Sequence, residues 1–288
     1  MSVECPREFA DVLSGWRPAP QVVQGELSPW PAQALAALLG ASPLGPGDAL
    51  PPLWHEVYLH QPYAVTDLGP EGHLAEGGLL PPLAERRRMF GGGRITVEQP
   101  LRVGEVATRT STVTRLRVRE GRSGWLLLLT ELHEITVAGA PRVTDERDIV
   151  YRVSRAAVSP PAATSPATPL PAPPAPAFGL DVDERVLFMF SALTYNAHRI
   201  HYDRRYTVDV EGHRDLLVHG PLLAIGAVEA ARRTGTGDIS AFSYRLMTPS
   251  YPSTPITFGV ERADHRETTV TGSQDGVVCV EARVTWRA

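Results

Sequence analysis

Lysine is absent from this chain of 288 residues, so all 28 of its basic side chains are arginine. The absence excludes a lysine Schiff base or a lysine general base from any mechanism. Cysteine is nearly absent as well. Cys5 and Cys279 lie near opposite ends, which suits neither a disulfide framework nor a cysteine zinc site. With no second His or Cys cluster of ligand spacing, we predict no metal.

Long apolar runs are also missing. No run approaches the roughly 20 residues that span a bilayer, and the N-terminal sequence MSVECPREFADVL does not resemble a signal peptide. The net charge of −4 gives no general attraction to nucleic acid or to anionic membranes. We expect a cytoplasmic protein without nucleic-acid or membrane partners.

Two common functional motifs are not found. The chain contains no Gly-x-Ser-x-Gly, so a hydrolase serine elbow is not supported. The glycine run 91–93 lacks the spacing of a Walker or dinucleotide-binding motif.

Proline is concentrated in one segment, 159–177, with the sequence SPPAATSPATPLPAPPAPA. Proline at this density disfavours helix interiors and strand pairing, and at ~3.1 Å per residue the segment could reach roughly 60 Å. We predict a linker between an N-terminal domain, 1–158, and a C-terminal domain, 178–288. Residues 1–50 are interpreted as a preface to the first domain.

Hydrophobic periodicity predicts a mixture of helices and strands. In the first half, Leu79–Ala84 has a weak helix signal that Pro81 and Pro82 interrupt. A long apolar helix is predicted at His219–Arg233, with Gly235 as its cap. The other predicted helices are Phe9–Leu13 and Ala32–Leu39, and the predicted strands are Arg94–Val153 (several strands), Val186–Phe190, Ile239–Leu246, Thr254–Glu261, Thr268–Thr271 and Val277–Trp286.

Two short stretches carry the candidate chemistry. Residues 190–203, FSALTYNAHRIHYD, combine apolar side chains with Asn, His, Arg and Asp, which are costly to bury unless they pair or function. Residues 218–223, VHGPLL, open the long helix with a Gly-Pro step. The free N–H groups and the positive dipole at a helix start suit a developing negative charge. Together the two stretches indicate chemistry on a carbonyl compound.

These stretches resemble the MaoC-like hydratases and dehydratases, in particular the branch with two hot-dog repeats in one chain. The first half carries the resemblance through WHEVYLHQPY, LGPEGHLAEGGLLPP, ERRRMFGGGR, PLRVGE, EGRSGWLLLLTELHEI and DERDIVYR. The resemblance implies an α+β double hot-dog fold, in which two antiparallel sheets each wrap around a central helix. It also implies a catalytic C-terminal repeat and a degenerate, non-catalytic N-terminal repeat.

The resemblance also implies catalytic residues. In single-repeat members a catalytic Asp stands five residues before a catalytic His, which places Asn196 at the Asp position and His201 at the His position. The hypothesis is that His201 is the general base, that Asn196 orients a water molecule and that the Gly220 N–H binds the thioester carbonyl oxygen. His198 or Asp203 would orient His201 or share proton transfer. Structural histidines and a capping role for Asp203 are the alternatives.

Substrate binding is predicted for further residues. Arg199 is a candidate for a free substrate carboxylate, with a surface salt bridge as the alternative. His219 is a candidate because it begins the long helix. Arg86, Arg87 and Arg88, followed by the glycine run 91–93, would grip CoA phosphates or form a solvated basic turn.

The predicted enzyme is a hydro-lyase for reversible hydration of an enoyl-CoA or dehydration of a 3-hydroxyacyl-CoA. The acyl group is expected to be short and branched or dicarboxylic, of the mesaconyl or itaconyl type. CoA enters as part of the acyl-CoA substrate and no cofactor is predicted. A homodimer is possible. The alternatives are a fatty 3-hydroxyacyl-thioester dehydratase, a hot-dog thioesterase, which Asn196 argues against, and a non-catalytic acyl-CoA-binding subunit.

Overall fold

Ten strands pair in one antiparallel sheet to which both halves of the chain contribute. The computed structural model describes residues 5–83, 87–121, 124–152, 176–235, 237–262 and 264–287. The strands are β1 (Gln21–Glu26), β2 (Arg87–Val97), β3 (Val106–Gly121), β4 (Gly124–Val137), β5 (Ala140–Arg152), β6 (Pro176–Leu180), β7 (Ile239–Leu246), β8 (Ile256–Arg262), β9 (Glu267–Gln274) and β10 (Val277–Trp286). Their order across the sheet is β1-β3-β4-β5-β2-β7-β10-β9-β8-β6.

The helices of the described residues are short except for α5, which packs against the sheet. The α-helices are α1 (Arg7–Gly15), α2 (Pro29–Leu39), α3 (Glu184–Leu193), α4 (Arg204–Asp209) and α5 (Gly220–Thr234). Three 3-10 helices cover Trp54–Val57, Val65–Asp67 and Arg199–His201. No helix in the described ranges is long and apolar enough to cross a bilayer.

The long helix α5 packs against strands β6 to β10. Its residues from Leu222 to Ala231 are all buried, as its apolar sequence predicts. Gly226 faces the ring of Phe258 so closely that a side chain there would overlap the ring. A helix of small residues can therefore approach the sheet and fill its concave face. A helix wrapped by an antiparallel sheet confirms the predicted hot-dog fold, although the sheets of the two halves are continuous rather than separate.

Residues 5–50, which the sequence analysis interpreted as a preface, pack into the fold. Strand β1 pairs with β3 and forms one edge of the sheet. Helix α2 packs against α3, and its side chains join the same apolar core as those of α5. Helix α1 covers a smaller cluster through Phe9 and Val12. These contacts bury apolar surface that a preface would leave in water.

The two halves meet where β2 pairs with β7, from Gly92 opposite Arg245 to Thr96 opposite Ala241. A Cβ on Gly92 would overlap the carbonyl oxygen of Tyr244, and the residue has φ +146°. A Cβ on Gly93 would crowd the Glu146 carbonyl oxygen. The glycine run thus serves close strand pairing, because only glycine lets three backbones approach here.

One predicted strand is a helix. The segment Val186–Phe190 lies inside α3, whose first turn is capped by the Asp183 carboxylate accepting hydrogen bonds from the N–H groups of Arg185 and Val186. The buried residues Leu187 and Phe190 are three apart, which is the spacing of a helix face. The capping Asp183 favours a helix here, although the apolar run alone was interpreted as a strand.

The proline-rich linker predicted at 159–177 lies outside the described residues as far as residue 175. Its last two positions, 176 and 177, begin β6, which pairs with β8. The division of the chain into 1–158 and 178–288 stays a prediction. No helix occupies the described part of Leu79–Ala84. Gly121 of β3 pairs with Gly124 of β4.

Replacing Gly92 by Ala is expected to lower the free energy of unfolding by about 1–3 kcal/mol, since the new side chain meets the Tyr244 carbonyl at an unfavourable φ. Urea unfolding of the purified protein measures the change. Gly179→Ala is the matched control, because Gly179 lies in β6 of the same sheet with no atom near its virtual Cβ. Equal stability of the two variants would contradict a close-approach role for Gly92.

Candidate active site

Three histidines lie at the start of α5, at the seam between the two halves. The rings of His201 and His219 are stacked with centroids 3.6 Å apart, and His198 meets His201 edge-on at 5.7 Å. His201 comes from the 3-10 helix Arg199–His201, and His219 is the N-cap residue of α5. All three side chains are buried. The two sequence stretches that indicated chemistry are therefore brought together.

His201 is held as a neutral base with one nitrogen available. Its Nδ1 lies 2.9 Å from the Leu217 carbonyl oxygen. A carbonyl can only accept, so Nδ1 carries the proton and Nε2 keeps a lone pair. Burial lowers the pKa of His201 to about 4, although the Leu217 hydrogen bond opposes the shift. The orienting partner is thus a backbone carbonyl rather than His198 or Asp203.

His219 is fixed by contacts on three sides. Its Nε2 lies 2.9 Å from Ser191 Oγ, and the ring of Phe190 meets it edge-on at 4.9 Å. Its Nδ1 is buried without a hydrogen-bond partner. Burial, followed by the charges of His201 and His198, places the pKa of His219 well below its ordinary value. Ser191 lies in the stretch 190–203, but the sequence analysis did not single it out.

The first half contributes directly to the histidine cluster. The ring of His73 lies 4.1 Å from that of His198, and the Arg199 N–H donates to the Glu71 carbonyl oxygen at 2.8 Å. Gly72 sits so close to Ala197 that a Cβ would overlap its carbonyl oxygen. Burial and the neighbouring His73 lower the pKa of His198. A histidine and a glycine within LGPEGHLAEGG gave no recognisable spacing, so sequence reasoning missed this contact.

Asn196 lies beside the cluster, but half of its amide is in use. Its Oδ1 accepts the His198 N–H at 3.0 Å, which fixes the loop between α3 and the 3-10 helix Arg199–His201. The preceding Tyr195 has φ +49°, a left-handed conformation that is uncommon for a large side chain. The Asn196 NH₂ group remains as a donor for a water molecule.

Asp203 and Arg199 pair with each other. Asp203 Oδ2 accepts from Arg199 Nε at 3.1 Å and from Nη2 at 2.7 Å, while its Oδ1 caps α4 through the Tyr206 N–H. Arg199 Nη1 donates to the Pro70 carbonyl oxygen, and the guanidinium lies over the Tyr206 ring. These contacts match the salt-bridge and capping alternatives, and they engage all three guanidinium nitrogens of Arg199.

Gly220 is the first residue of α5, where helical N–H groups lack partners inside the helix. A Cβ at this position would lie 2.5 Å from Leu246 Cδ1 and 3.1 Å from Phe90 Cδ1. Glycine therefore keeps the helix start narrow, between the end of β7 and strand β2. The arrangement suits binding of an oxyanion by a backbone amide.

Arg87 and Arg88 lie in strand β2 and not in a turn. Arg86 lies outside the described residues, and β2 already begins at Arg87. Arg87 Nη2 donates to the Val210 carbonyl oxygen at 3.2 Å, and its Nε lies 3.6 Å from a Glu211 carboxylate oxygen. Arg88 is partly accessible and forms no ion pair with a carboxylate of the described residues. A grip on CoA phosphates by this segment stays a prediction.

The inner face of the first-half sheet carries a buried ionic cluster that the sequence did not indicate. Asp145 is fully buried and accepts from Arg147 Nη2 at 2.7 Å and from His55 Nε2 at 3.1 Å. Burial alone would raise the pKa of Asp145, but Arg147 and His55 hold it well below its usual range. Arg147 also pairs with Glu56 at 2.6 Å. The charged residues of the strands stand at alternating positions. An exposed strand face shows the same alternation, so the sequence could not indicate that these residues are buried.

Solved structures share this fold. HtdX of Mycobacterium tuberculosis matches with a TM-score of 0.64 and 16% identity, covering 93% of this chain and 100% of that one. A MaoC-like dehydratase of Phytophthora capsici gives a TM-score of 0.63 and 14% identity, covering 96% and 98% of the two chains. At these identities the likeness defines the fold.

The sequence comparison is more specific. Residues 53–252 match the family of hydroxyacyl-thioester dehydratase type 2, Htd2. The mesaconyl-C(4)-CoA hydratase of Chloroflexus aurantiacus is 37% identical over 259 residues, covering 88% of this chain and 91% of that protein. The chain belongs to the hydroxyacyl-thioester dehydratase type 2 family. It is a hydro-lyase of acyl-CoA hydration and dehydration, which confirms the predicted reaction class.

The buried neutral histidines make stability depend on pH. A folded-state pKa below the unfolded value of about 6.5 gives stability that is present above pH 6.5 and is lost as the pH falls towards the folded value. For His201, with a pKa of about 4, the free energy of unfolding should fall by about 2 kcal/mol between pH 7.5 and pH 5. His198 and His219 act in the same direction.

Chemical denaturation at a series of pH values measures this slope. His201→Gln should flatten it, whereas His265→Gln, at an exposed position, should leave it unchanged. A slope that is identical in all three proteins would mean that His201 is not buried neutral.

Proposed function

We propose that this enzyme reversibly hydrates a short enoyl-CoA that carries a second carboxylate, of the mesaconyl type, and dehydrates the corresponding 3-hydroxyacyl-CoA. The observation that carries the proposal is the state of His201. Its Nδ1 is committed to Leu217, and its neutral Nε2 lies beside the start of α5. This geometry supports a role for His201 as the base and for the start of α5 as the oxyanion donor.

The reaction uses groups of the chain and one water molecule. The Gly220 N–H donates to the thioester carbonyl oxygen and polarises the conjugated double bond. The Asn196 NH₂ group orients a water molecule at Cβ, and His201 Nε2 removes its proton as the C–O bond forms. The enolate then takes a proton at Cα from the His201 imidazolium, which restores the neutral base. Dehydration follows the same steps in reverse.

A pKa of about 4 makes His201 a weak base in the free enzyme, but the reaction changes its surroundings. The developing enolate brings negative charge beside the ring, and an opposite charge within about 4–6 Å raises the pKa of an imidazole. The stacked His219 ring supplies a polarisable face to the imidazolium. The base is therefore strengthened as charge develops on the substrate, which favours the transition state over the ground state.

The acyl group is assigned from a relative and from the interior of the first half. The relative from Chloroflexus is named for mesaconyl-C(4)-CoA. Beside His73, Leu74 lines a cavity of about 160 Å³ whose other walls include Arg109, Glu131 and His133. Drug-sized ligands occupy roughly 300–1,000 Å³. A small cavity with charged walls suits a short polar acyl group, and a fatty chain would bury those charges against methylene groups.

A thioesterase is the alternative reaction on the same thioester. It would require a carboxylate near the thioester. Within the described ranges neither His201 nor His219 hydrogen-bonds a carboxylate, and Asp203 is engaged with Arg199 and α4. A non-catalytic acyl-CoA-binding subunit would not need an oriented, unprotonated His201 Nε2.

Replacing His201 by Ala is expected to lower the hydration rate by about 10²–10⁴-fold while leaving the fold intact, because the general base is lost. Loss of absorbance of the conjugated thioester measures the rate with mesaconyl-C4-CoA, itaconyl-CoA and crotonyl-CoA. His265→Ala is the exposed control and should behave as the parent protein. Release of free CoA without loss of the double bond would establish a thioesterase. Full hydration by His201→Ala would remove the proposed mechanism.

The pH profile of kcat/KM gives an independent test, because it reports the pKa of the free enzyme. The unprotonated His201 is the active form, so kcat/KM should stay level from pH 7.5 down to about pH 5 and fall near pH 4. An ordinary histidine would give an inflection near 6.5. Stopped-flow assays after a brief jump to low pH separate the titration from unfolding. An inflection at 6.5 would contradict a buried base.

A further inference from the structure

We propose that Arg88 binds the free carboxylate of the acyl group and so sets the preference for a dicarboxylic substrate. The proposal rests on the proposed function. It gives Arg88 a role at the acyl group in place of the predicted grip on CoA phosphates. Four observations support it: the position of Arg88 on β2, its incomplete pairing, its influence on His198 and the engagement of the competing Arg199.

Position is the first observation. Pairing of β2 with β7 begins at Gly92, so Arg87–Phe90 pair with β5 and project past the end of β7. Phe90 lies against Gly220, where the thioester oxygen is placed. Arg88 is two residues earlier on the same strand and therefore shares the face of Phe90. The side chain is directed to the side of the strand that borders the start of α5.

Incomplete pairing is the second observation. No carboxylate in the described part of the chain lies within ion-pair distance of Arg88, and its Nε is buried without a hydrogen-bond partner. Burial opposes its charge, but Tyr151 and Glu131 outweigh burial and keep the pKa of Arg88 above its ordinary value. Arg88 is thus a permanent cation, partly accessible, with donor capacity left over.

Proximity to the reacting centre is the third observation. After burial, His73 and His201, the charge of Arg88 is a further cause of the low pKa of His198. His198 in turn meets His201 edge-on. A mesaconyl group joined to CoA through C4 carries its free carboxylate on Cβ, the carbon that water attacks. When Cβ lies beside His201, this carboxylate therefore lies near the charge of Arg88.

The chemistry favours a carboxylate over a phosphate. The pantetheine arm separates the CoA phosphates from the thioester, so a group beside Gly220 and the histidines faces the acyl end. An arginine fork donates two parallel hydrogen bonds to a carboxylate. Arg199, the residue favoured by the sequence, already donates to Asp203 and Pro70. Its guanidinium would have to leave a carboxylate before binding another.

Binding of two non-reacting thioesters tests the proposal without turnover. Succinyl-CoA and butyryl-CoA differ only in the group on Cβ, which is a carboxylate in the first and a methyl group in the second. Calorimetry with the parent protein should show tighter binding of succinyl-CoA. Arg88→Gln should weaken succinyl-CoA binding by about 10- to 100-fold, the range of a charged hydrogen bond, and leave butyryl-CoA binding within about twofold.

Matched variants separate the explanations. Arg119→Gln removes an exposed arginine of β3 and should change neither affinity. Arg88→Lys keeps the charge without the fork, so it should weaken succinyl-CoA by a smaller factor. That variant carries the test if Arg88→Gln does not fold.

Three results would overturn the proposal. Equal weakening of both thioesters by Arg88→Gln would assign Arg88 to CoA or to structure. An unchanged preference would remove it from the site. Loss of the preference in Arg109→Gln or Arg199→Gln instead would move the carboxylate to that residue. Failure of the proposed function is a different outcome, in which the parent protein does not hydrate mesaconyl-C4-CoA whatever its preference between the two probes.

Discussion

The pairing of β2 with β7 is the contact on which the site depends. It joins the sheets of the two halves, and it requires glycine at positions 92 and 93 because the backbones of Tyr244 and Glu146 leave no space for a side chain. The pairing of β2 with β7 begins at Gly92. The preceding residues of β2 therefore extend beyond β7 and reach the start of α5. Phe90 and Arg88 reach the catalytic half only through this register, and a one-residue slip would turn both to the opposite face.

Burial determines the protonation state of the histidine cluster. Three imidazoles packed within a few ångströms would repel one another if charged, and burial already disfavours the charged form. The cluster is therefore neutral at physiological pH, and the Leu217 carbonyl selects which nitrogen of His201 is free. A carboxylate in the position of Asn196 would make the neighbouring imidazoles more basic. The amide instead fixes the loop. In the proposed mechanism the basicity of His201 then depends on the charge that develops on the substrate.

The sequence predicted the fold class, α5 and much of the strand content, because each has a local signature. Hydrophobic periodicity marks α5, and the signature stretch marks the histidines, among which the catalytic role of His201 stays a prediction. The contacts of His73 and Ser191 with this cluster were not predicted, and Arg88 was singled out for CoA phosphates. The positions of His73 and Arg88 depend on a loop held against Ala197 through Gly72 and on the register of β2. The helix α3 was mistaken for a strand because its apolar run was weighed above the capping Asp183. Contacts between residues far apart in the sequence produce no local hydrophobic periodicity, so the sequence does not reveal them.

The interiors of the two halves differ in polarity. In the second half the concave face of the sheet is filled by α5, and its interior is apolar. In the first half the corresponding strands direct Asp145, Arg147 and Glu131 inward, with Asp145 and Arg147 paired at 2.7 Å. Buried ion pairs rarely stabilise a fold more than apolar residues of the same volume would. Under the proposed function, a ligand that carries charge would account for them. A short dicarboxylic acyl group would bring a negative charge to the side on which Arg88 has no ion pair among the described carboxylates.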